Sequence, residues 1–382
     1  MRALLIVSRF PFPPYTGDRI RATAWIEALM EADDLTVVAP PGRLELVPRG
    51  CQVVTAARTP VRLLACALHV GLRGLPATSL LAAGFAWRNA IRAAETVSGP
   101  FDVAIVQLAR LDPWVFRYLP AGRRILDAID ALGANLSERA AASLGVASAF
   151  WRQEAARTAR LETECGRRYD AVSVVAPAEC AAFGSRAVAI SHGTVLGPPA
   201  SGPRDIDAAF WGRLAYFANE DAARFLLDEV WPAVRRRRSR ATLLVAGADA
   251  PAWLRRRHGH DGVTVESPLR DRAAALRRVR VAIVPLRFGS GASNKVLEAA
   301  EASCAVVSTP EGVRGLPELA AEVELAHTAE ELASRLVGLC ECPAMADVQG
   351  RRLREVVESC YSRDTARRRL LALARGVATA GG

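Results

Sequence analysis

The sequence predicts an α/β protein built of two doubly wound, Rossmann-like domains, and three observations carry that reading. Short apolar runs alternate with helix-period patterns along the whole 382 residues, as in parallel strands covered by helices on both faces. The eleven strand candidates fall into two series, which suits two sheets better than one. Between the series, Ser191-His192-Gly193-Thr194-Val195-Leu196-Gly197-Pro198-Pro199-Ala200-Ser201-Gly202-Pro203 is rich in Gly, Pro and Ser and has no periodicity, the mark of a connection. These features divide the chain into a first domain over 1–192, a linker over 193–207, a second domain over 208–362 and a C-terminal segment over 363–382.

The first series opens with Ala3–Ser8, an apolar run ended by the prolines from Pro11 onward and too short for the apolar region of a signal peptide. Leu35–Ala39, Phe101–Gln107, Arg124–Ile129 and Ala171–Val175 are its other strands, with helices predicted at Arg19–Met30, Ala86–Thr96 and Ser148–Arg168. The second series has strands at Ala209–Trp211, Ala241–Ala246, Val263–Glu266, Val281–Pro285, Ala305–Ser308 and Val323–Ala326. Its helices are Glu220–Arg237, Arg272–Arg278, Lys295–Ala302 and Ala329–Leu339, the last opened by a capping box, Thr328-x-x-Glu331. Open parallel sheets bind ligands beyond the carboxyl ends of their strands, so a ligand cleft is expected between the two domains.

A formal charge of +10 suits an anionic partner. Nucleic acid is disfavoured, because the arginines are spread along the chain and no basic motif is interleaved with aromatics. The densest run, Arg235-Arg236-Arg237-Arg238-Ser239-Arg240, follows a predicted helix and reads as its solvated end. The spacing of the eight cysteines fits neither a disulfide framework nor a zinc site, so small buried thiols in a reducing cytoplasm are expected. No apolar run reaches transmembrane length.

Of the 50 Lys and Arg residues only Lys295 is a lysine. It lies in Gly289-Ser290-Gly291-Ala292-Ser293-Asn294-Lys295, a glycine-rich turn opening a predicted helix. A cation is badly placed at the positive end of a helix dipole. An anion bound there reverses the objection, because backbone N–H groups and the ammonium would then point at it together. Glu298 follows one helical turn later on the same face. A cation among amides followed by a carboxylate is a set that holds a nucleotide diphosphate, the carboxylate taking ribose hydroxyls. Gly212-Arg213 follows the first strand of this domain, which makes Arg213 a second candidate cation.

The stretch from Pro285 to Ala299, followed by Ala305-Val306-Val307-Ser308-Thr309, resembles the donor-site signature of family-4 glycosyltransferases, with the bacterial sugar transferases of polysaccharide and exopolysaccharide pathways as the nearest branch. Phe210-Trp211-Gly212-Arg213, Asn219, Ala222 and Trp231-Pro232 match the start of the same domain, and Pro11–Arg21 resembles the family's first loop. The resemblance is weak between Gln52 and Asp170. It implies a GT-B fold with a terminal helix, Arg363–Ala378, crossing back to the first domain. It further implies a hexosyltransferase-type enzyme that uses a nucleotide-diphosphate sugar, needs no metal or cofactor and retains anomeric configuration. By position, Arg213 and Lys295 would stabilise the leaving diphosphate. Gly212, Gly289, Ser290, Gly291, Ala292, Ser293, Asn294 and Glu298 would bind the donor. The acceptor would be a glycan, a lipid-linked sugar or a small molecule, met in the cytoplasm or at the inner face of the cell membrane.

The chain also departs from that family. Ser290 stands where many members have a first glutamate, no lysine follows Gly212-Arg213, and Gln107 stands where a histidine is usual. Gly17, Asp18, Arg21, Gln107, Asp130 and His192 are acceptor-side candidates. Helix capping is the competing role for Asp18 and Asp130, as a plain hinge turn is for His192. Two readings of Val61–Ala94 stay open: buried core helices, or a face resting on an anionic membrane. Two other functions also stay open. One is a GT-B-like partner without catalysis. The other is a dinucleotide-dependent oxidoreductase, against which the first strand lacks a Gly-x-Gly-x-x-Gly turn.

Overall fold

A computed structural model describes the chain except residues 31–33, 59–61, 121, 142, 199–201, 289–293 and 378–382. It separates into two compact units, 1–193 with 363–382, and 194–362.

The first unit holds a seven-stranded sheet of β1 (Ala3–Ile6), β2 (Leu35–Ala39), β3 (Gln52–Thr55), β4 (Val103–Gln107), β5 (Arg123–Ile129), β6 (Ala171–Val174) and β7 (Ala187–Ala189) in the order 3-2-1-4-5-6-7. Every pairing is parallel, and β1, β2 and β4 are buried along their whole length. That explains why they read as continuous apolar runs rather than alternating ones. The edge strands β3 and β7 are additions to the predicted series. Gln52–Thr55 is largely solvent-facing and Ala187–Ala189 has only three residues, so neither carries a long apolar signal.

The helix Gly17–Met30 packs one face of this sheet through Ala22, Trp25, Ile26 and Leu29. The C-terminal helix Arg363–Arg375 joins the same core with Leu370, Leu373 and Ala374 and belongs to the first unit. Its Arg363 donates from Nε to Glu27 Oε2 at 2.6 Å and from Nη2 to the other oxygen. On the opposite face, Trp87, Ile91 and Ala94 of the helix Trp87–Ser98 and Leu161 and Cys165 of Gly145–Arg168 are buried.

The second unit holds β8 (Ile206–Trp211), β9 (Leu243–Ala246), β10 (Val263–Glu266), β11 (Val279–Val284), β12 (Ala305–Ser308) and β13 (Glu324–Leu325) in the parallel order 10-9-8-11-12-13. The chain leaves β8 toward one edge and returns at β11 to build the other, so the winding reverses between these strands. The predicted helix Glu220–Arg237 is present but divided. An α-helix over Phe217–Phe225 passes through a π turn at Leu226–Val230 into Trp231–Arg237. Pro232 has no N–H to return to Asp228, which accounts for the break in the ladder at this point. The capping box forms as read, Glu331 N–H donating to Thr328 Oγ1 at 3.2 Å and Glu331 Oε2 accepting from the Thr328 N–H. The helix Pro343–Cys360 is a further addition; Pro at its first turn is its clearest start signal. All eight cysteines are free thiols, but only Cys165, Cys304 and Cys340 are buried and the other five are half-buried, fewer than the expected buried majority. Among the described residues no helix is long and apolar enough to cross a membrane.

Val61–Ala94 resolves into two different things. The second half forms a buried core face, in line with one of the two readings. The helix Arg62–Arg73 does not, because Leu64, Leu68 and Leu72 point outward.

Candidate active site

The second unit brings the donor-side residues together. β8, β9 and β11 end in turns that line a cavity of about 470 Å³ at the point where the winding reverses, the position where such sheets bind ligands. Two glycines let these turns approach. Gly247 (φ +142°) packs on Gly212, where a Cβ would stand 1.8 Å from the Gly212 carbonyl oxygen. Gly212 (φ +150°) lies under Asn219, its Cβ position 2.9 Å from Nδ2. Both backbones adopt a conformation that side-chain-bearing residues avoid.

The helix Asn294–Glu301 opens onto the cavity, with Asn294, Lys295 and Glu298 in its lining. Lys295 Nζ donates to Asn219 Oδ1 at 2.8 Å and stands 5.5 Å from the centroid of the Phe210 ring. Asn219 Nδ2 donates to the Arg213 carbonyl at 2.9 Å, so one amide links the lysine to the Gly212–Arg213 turn. Burial pushes the Lys295 ammonium down from 10.5 to about 8, against the opposing pull of Glu298. Both carboxylate oxygens of Glu298 are engaged. Oε2 accepts from Trp211 Nε1 at 2.5 Å, and Oε1 faces Arg272 Nη1 at 2.9 Å.

Arg213 lines the cavity from its exposed rim, its Nε donating to Asp249 Oδ2 at 2.8 Å. An exposed pair of this kind contributes about 0–1 kcal/mol and exchanges readily for another anion. Gly289, Ser290, Gly291, Ala292 and Ser293 lie outside the described residues.

The acceptor-side candidates all fall in the first unit, and two change role. Arg21 does not line a surface. It is fully buried, with Nε 2.9 Å from Asp127 Oδ1 and Nη1 donating to the carbonyls of Ile190 and Ser191, both at 2.8 Å. The helix phase that turns Ala22, Trp25 and Ile26 inward carries Arg21 with them. Gln107 is likewise buried, its Nε2 holding the Asp18 carbonyl at 2.8 Å. Gly17 is open, with no atom beyond its chain neighbours and its own helix backbone within 4 Å of a Cβ placed there. Asp18 accepts from Thr16 Oγ1 at 2.5 Å and lies 3.4 Å from Arg9.

Burial raises the Asp130 carboxyl above its usual range, opposed chiefly by Arg110. Burial and the nearby Arg21 push His192 down to about 3, so it is neutral at ordinary pH. Its Nδ1 is buried without a hydrogen-bond partner among the described residues.

Several contributors carry little signal in the sequence. Trp211 and Asn219 stand inside the recognised motif, but their hydrogen bonds cross 87 and 76 positions of chain. Arg272 resembles any other arginine of a helix start. Arg110, whose Nη2 donates to Ser8 Oγ at 3.2 Å, is hidden among 49 arginines. The mouth of the cavity also carries Phe288, stacked on Phe217 with centroids 5.6 Å apart and ring planes 9° from parallel.

Residues 206–342 match the family model described as Glycosyl transferases group 1. That segment contains Arg213, Asn219, Lys295 and Glu298. No curated protein matches the chain. Among solved structures, the sucrose-phosphate synthase of Thermosynechococcus elongatus is 17% identical with a TM-score of 0.68, over 98% of each chain. HepE of Anabaena, solved in complex with UDP, is 13% identical with a TM-score of 0.65, over 99% of this chain and all of that one. WaaG, a glycosyltransferase involved in lipopolysaccharide biosynthesis, is 14% identical with a TM-score of 0.59, over 98% of this chain and all of that one. Identities this low establish the fold, and the family match establishes the domain that holds the cavity. The chain thus has the GT-B fold, and its residues 206–342, which hold the cavity, match the Glycosyl transferases group 1 model.

Proposed function

We propose that the protein moves a sugar from a nucleotide-diphosphate sugar to an acceptor hydroxyl, with retention at the anomeric carbon and without a divalent ion. The carrying observation is the convergence of the Lys295 ammonium, the Glu298 carboxylate and the Gly212–Arg213 turn on one cavity at the strand ends. In this reading the diphosphate lies against Lys295 and Arg213, and the ribose diol exchanges with Arg272 for the Glu298 oxygen that faces it. As the glycosidic bond breaks, charge grows on the phosphate oxygens. Lys295, held by Asn219, and Arg213, once it exchanges Asp249 for the phosphate, put positive charge where it is needed and lower the barrier, and they supply the charge that a metal would otherwise bring. Asn219 keeps Lys295 directed into the cavity. The acceptor, a glycan, a lipid-linked sugar or a small molecule, is assigned to the first unit, where Gly17, Asp18 and Asp130 lie beyond its strand ends. The proposed setting is the cytoplasm, in polysaccharide assembly.

UDP, with which HepE was solved, is the natural first probe. The test is a panel of nucleotide-diphosphate sugars incubated with the protein in excess chelator, read by release of nucleoside diphosphate and by NMR of the product anomer. Turnover with retained configuration is expected. Inverted product, or activity only on adding a divalent ion, refutes the reading. A donor also raises the melting temperature by mass action, so a thermal-shift screen narrows the panel.

A further inference from the structure

The first unit carries an apolar face that the described residues leave uncovered. The helix Arg62–Arg73 is anchored by Val70, which is buried, and by His69, whose ring lies 5.6 Å from that of Trp114. Leu64, Leu68 and Leu72 recur at every fourth position and are 86%, 65% and 79% exposed. That spacing puts all three on one side of the helix. Leu81, also exposed, follows in the short helical turn Ala77–Ala82. The Ala77 N–H donates to Glu154 Oε2 at 2.6 Å, which fastens this segment to the helix Gly145–Arg168. Leu144, Val146 and Phe150 are exposed at the start of that helix, Phe150 one turn before Glu154. Scattered single apolar side chains are normal on a surface; a concentration of this kind marks an interaction site.

The charge pattern identifies the partner. From Leu46 to Ala94 the sequence contains no Asp or Glu and six arginines, Arg49, Arg58, Arg62, Arg73, Arg88 and Arg92. Arg58 and Arg88 lie over the rings of Phe85 and Tyr118, at 5.6 and 5.9 Å, with their charge free of carboxylates among the described residues. An anionic bilayer takes both features at once: leucines enter the boundary of the acyl chains while guanidinium groups meet headgroup phosphates. We infer that this face docks the protein peripherally on an anionic lipid bilayer, the helix Arg62–Arg73 lying in the membrane plane with Leu64, Leu68 and Leu72 inserted. The inference goes beyond the transfer reaction and does not rest on it.

Co-sedimentation of the full chain with vesicles tests it, using phosphatidylcholine alone or mixed with phosphatidylglycerol. Binding to the mixed vesicles only is expected, weakening as salt is raised. Combining Leu64→Ser, Leu68→Ser and Leu72→Ser should lower the partition at least about tenfold while the melting temperature holds, because the three side chains already face water. Combining Arg73→Glu, Arg88→Glu and Arg92→Glu should abolish the preference for phosphatidylglycerol with the leucines in place. Absence of wild-type binding, equal binding to neutral vesicles, or unchanged binding of the leucine variant overturns the inference. So does light scattering that shows a wild-type dimer reduced to monomers by the leucine changes, which would assign the face to a second copy of the chain.

Discussion

Replacing Lys295 by methionine should stabilise the free protein and weaken its ligand, a pairing expected of a residue kept for function. The ammonium is held at about 8 instead of 10.5 by burial. Its folded form therefore disfavours the proton, and the unfolded chain binds more protons between about pH 8 and 10.5. Stability rises with pH across that window, and below it the charged lysine costs up to about 3 kcal/mol. Methionine removes this cost but strands the Asn219 oxygen that Nζ now satisfies at 2.8 Å, returning about 1 kcal/mol. A net gain of roughly 1–2 kcal/mol is expected at pH 7, seen as a rise of a few degrees in Tm that fades toward pH 10.

Ligand binding should move the other way. Loss of a charge-assisted bond to phosphate is worth about 1.5–3 kcal/mol, or roughly 10- to 100-fold in the Kd for UDP. Lys295→Arg separates charge from shape. The ammonium already sits 2.8 Å from Asn219 Oδ1 and over the Phe210 ring, so the wider guanidinium overpacks this corner at about 1–3 kcal/mol. Titration calorimetry with UDP and thermal melting of the three proteins decide the matter. Wild-type affinity in Lys295→Met, or full affinity and Tm in Lys295→Arg, would refute this placement of the phosphate.

Glu298→Gln keeps an acceptor for the Trp211 N–H but gives up the charge that orders a ribose diol; the preference for UDP over its 2′-deoxy analogue should fall about tenfold, and an unchanged preference removes Glu298 from the ribose. Asp127→Ala leaves Arg21 buried without its charge partner and should cost about 3–5 kcal/mol in denaturant unfolding; a loss below about 1 kcal/mol would mean that the carbonyls of Ile190 and Ser191 suffice. Burial raises the Glu162 carboxyl from 4.5 to about 7. The folded state then binds more protons between those values, so stability is expected to fall as pH rises from about 4.5 to 7. Glu162→Gln should raise Tm at pH 8 and change little at pH 5, and equal effects at both would contradict the assignment.

Much of the second unit is legible in the sequence because its signals are local. Lys295, Glu298 and Gly212-Arg213 each sit where a buried strand gives way to a turn or helix, and apolar runs show those places clearly. What is not legible depends on partners distant in the chain. Nothing around Arg21 distinguishes it from a surface arginine; its pairing with Asp127 spans 106 positions. Helical phase gives a warning of it, since Ala22, Trp25 and Ile26 define the inward face. Similarly, Leu64, Leu68 and Leu72 form the stripe that a core helix would have, and only the fold reveals that the stripe faces out. Gln107, which by position replaces the histidine usual in the family, instead holds the start of the first helix.

In the proposed mode the second-unit cavity holds a diphosphate against a buried, easily deprotonated Lys295. Titration of UDP into the wild-type protein across about pH 7–10, in buffers of different ionisation enthalpy, tests it most directly. A phosphate partner restores the ammonium, so binding near pH 8 should take up about half a proton. Affinity should decline above that pH, and the uptake should disappear in Lys295→Met. Binding without proton uptake and flat across this range, or no binding of UDP or any other nucleoside diphosphate, would overturn this placement of the diphosphate.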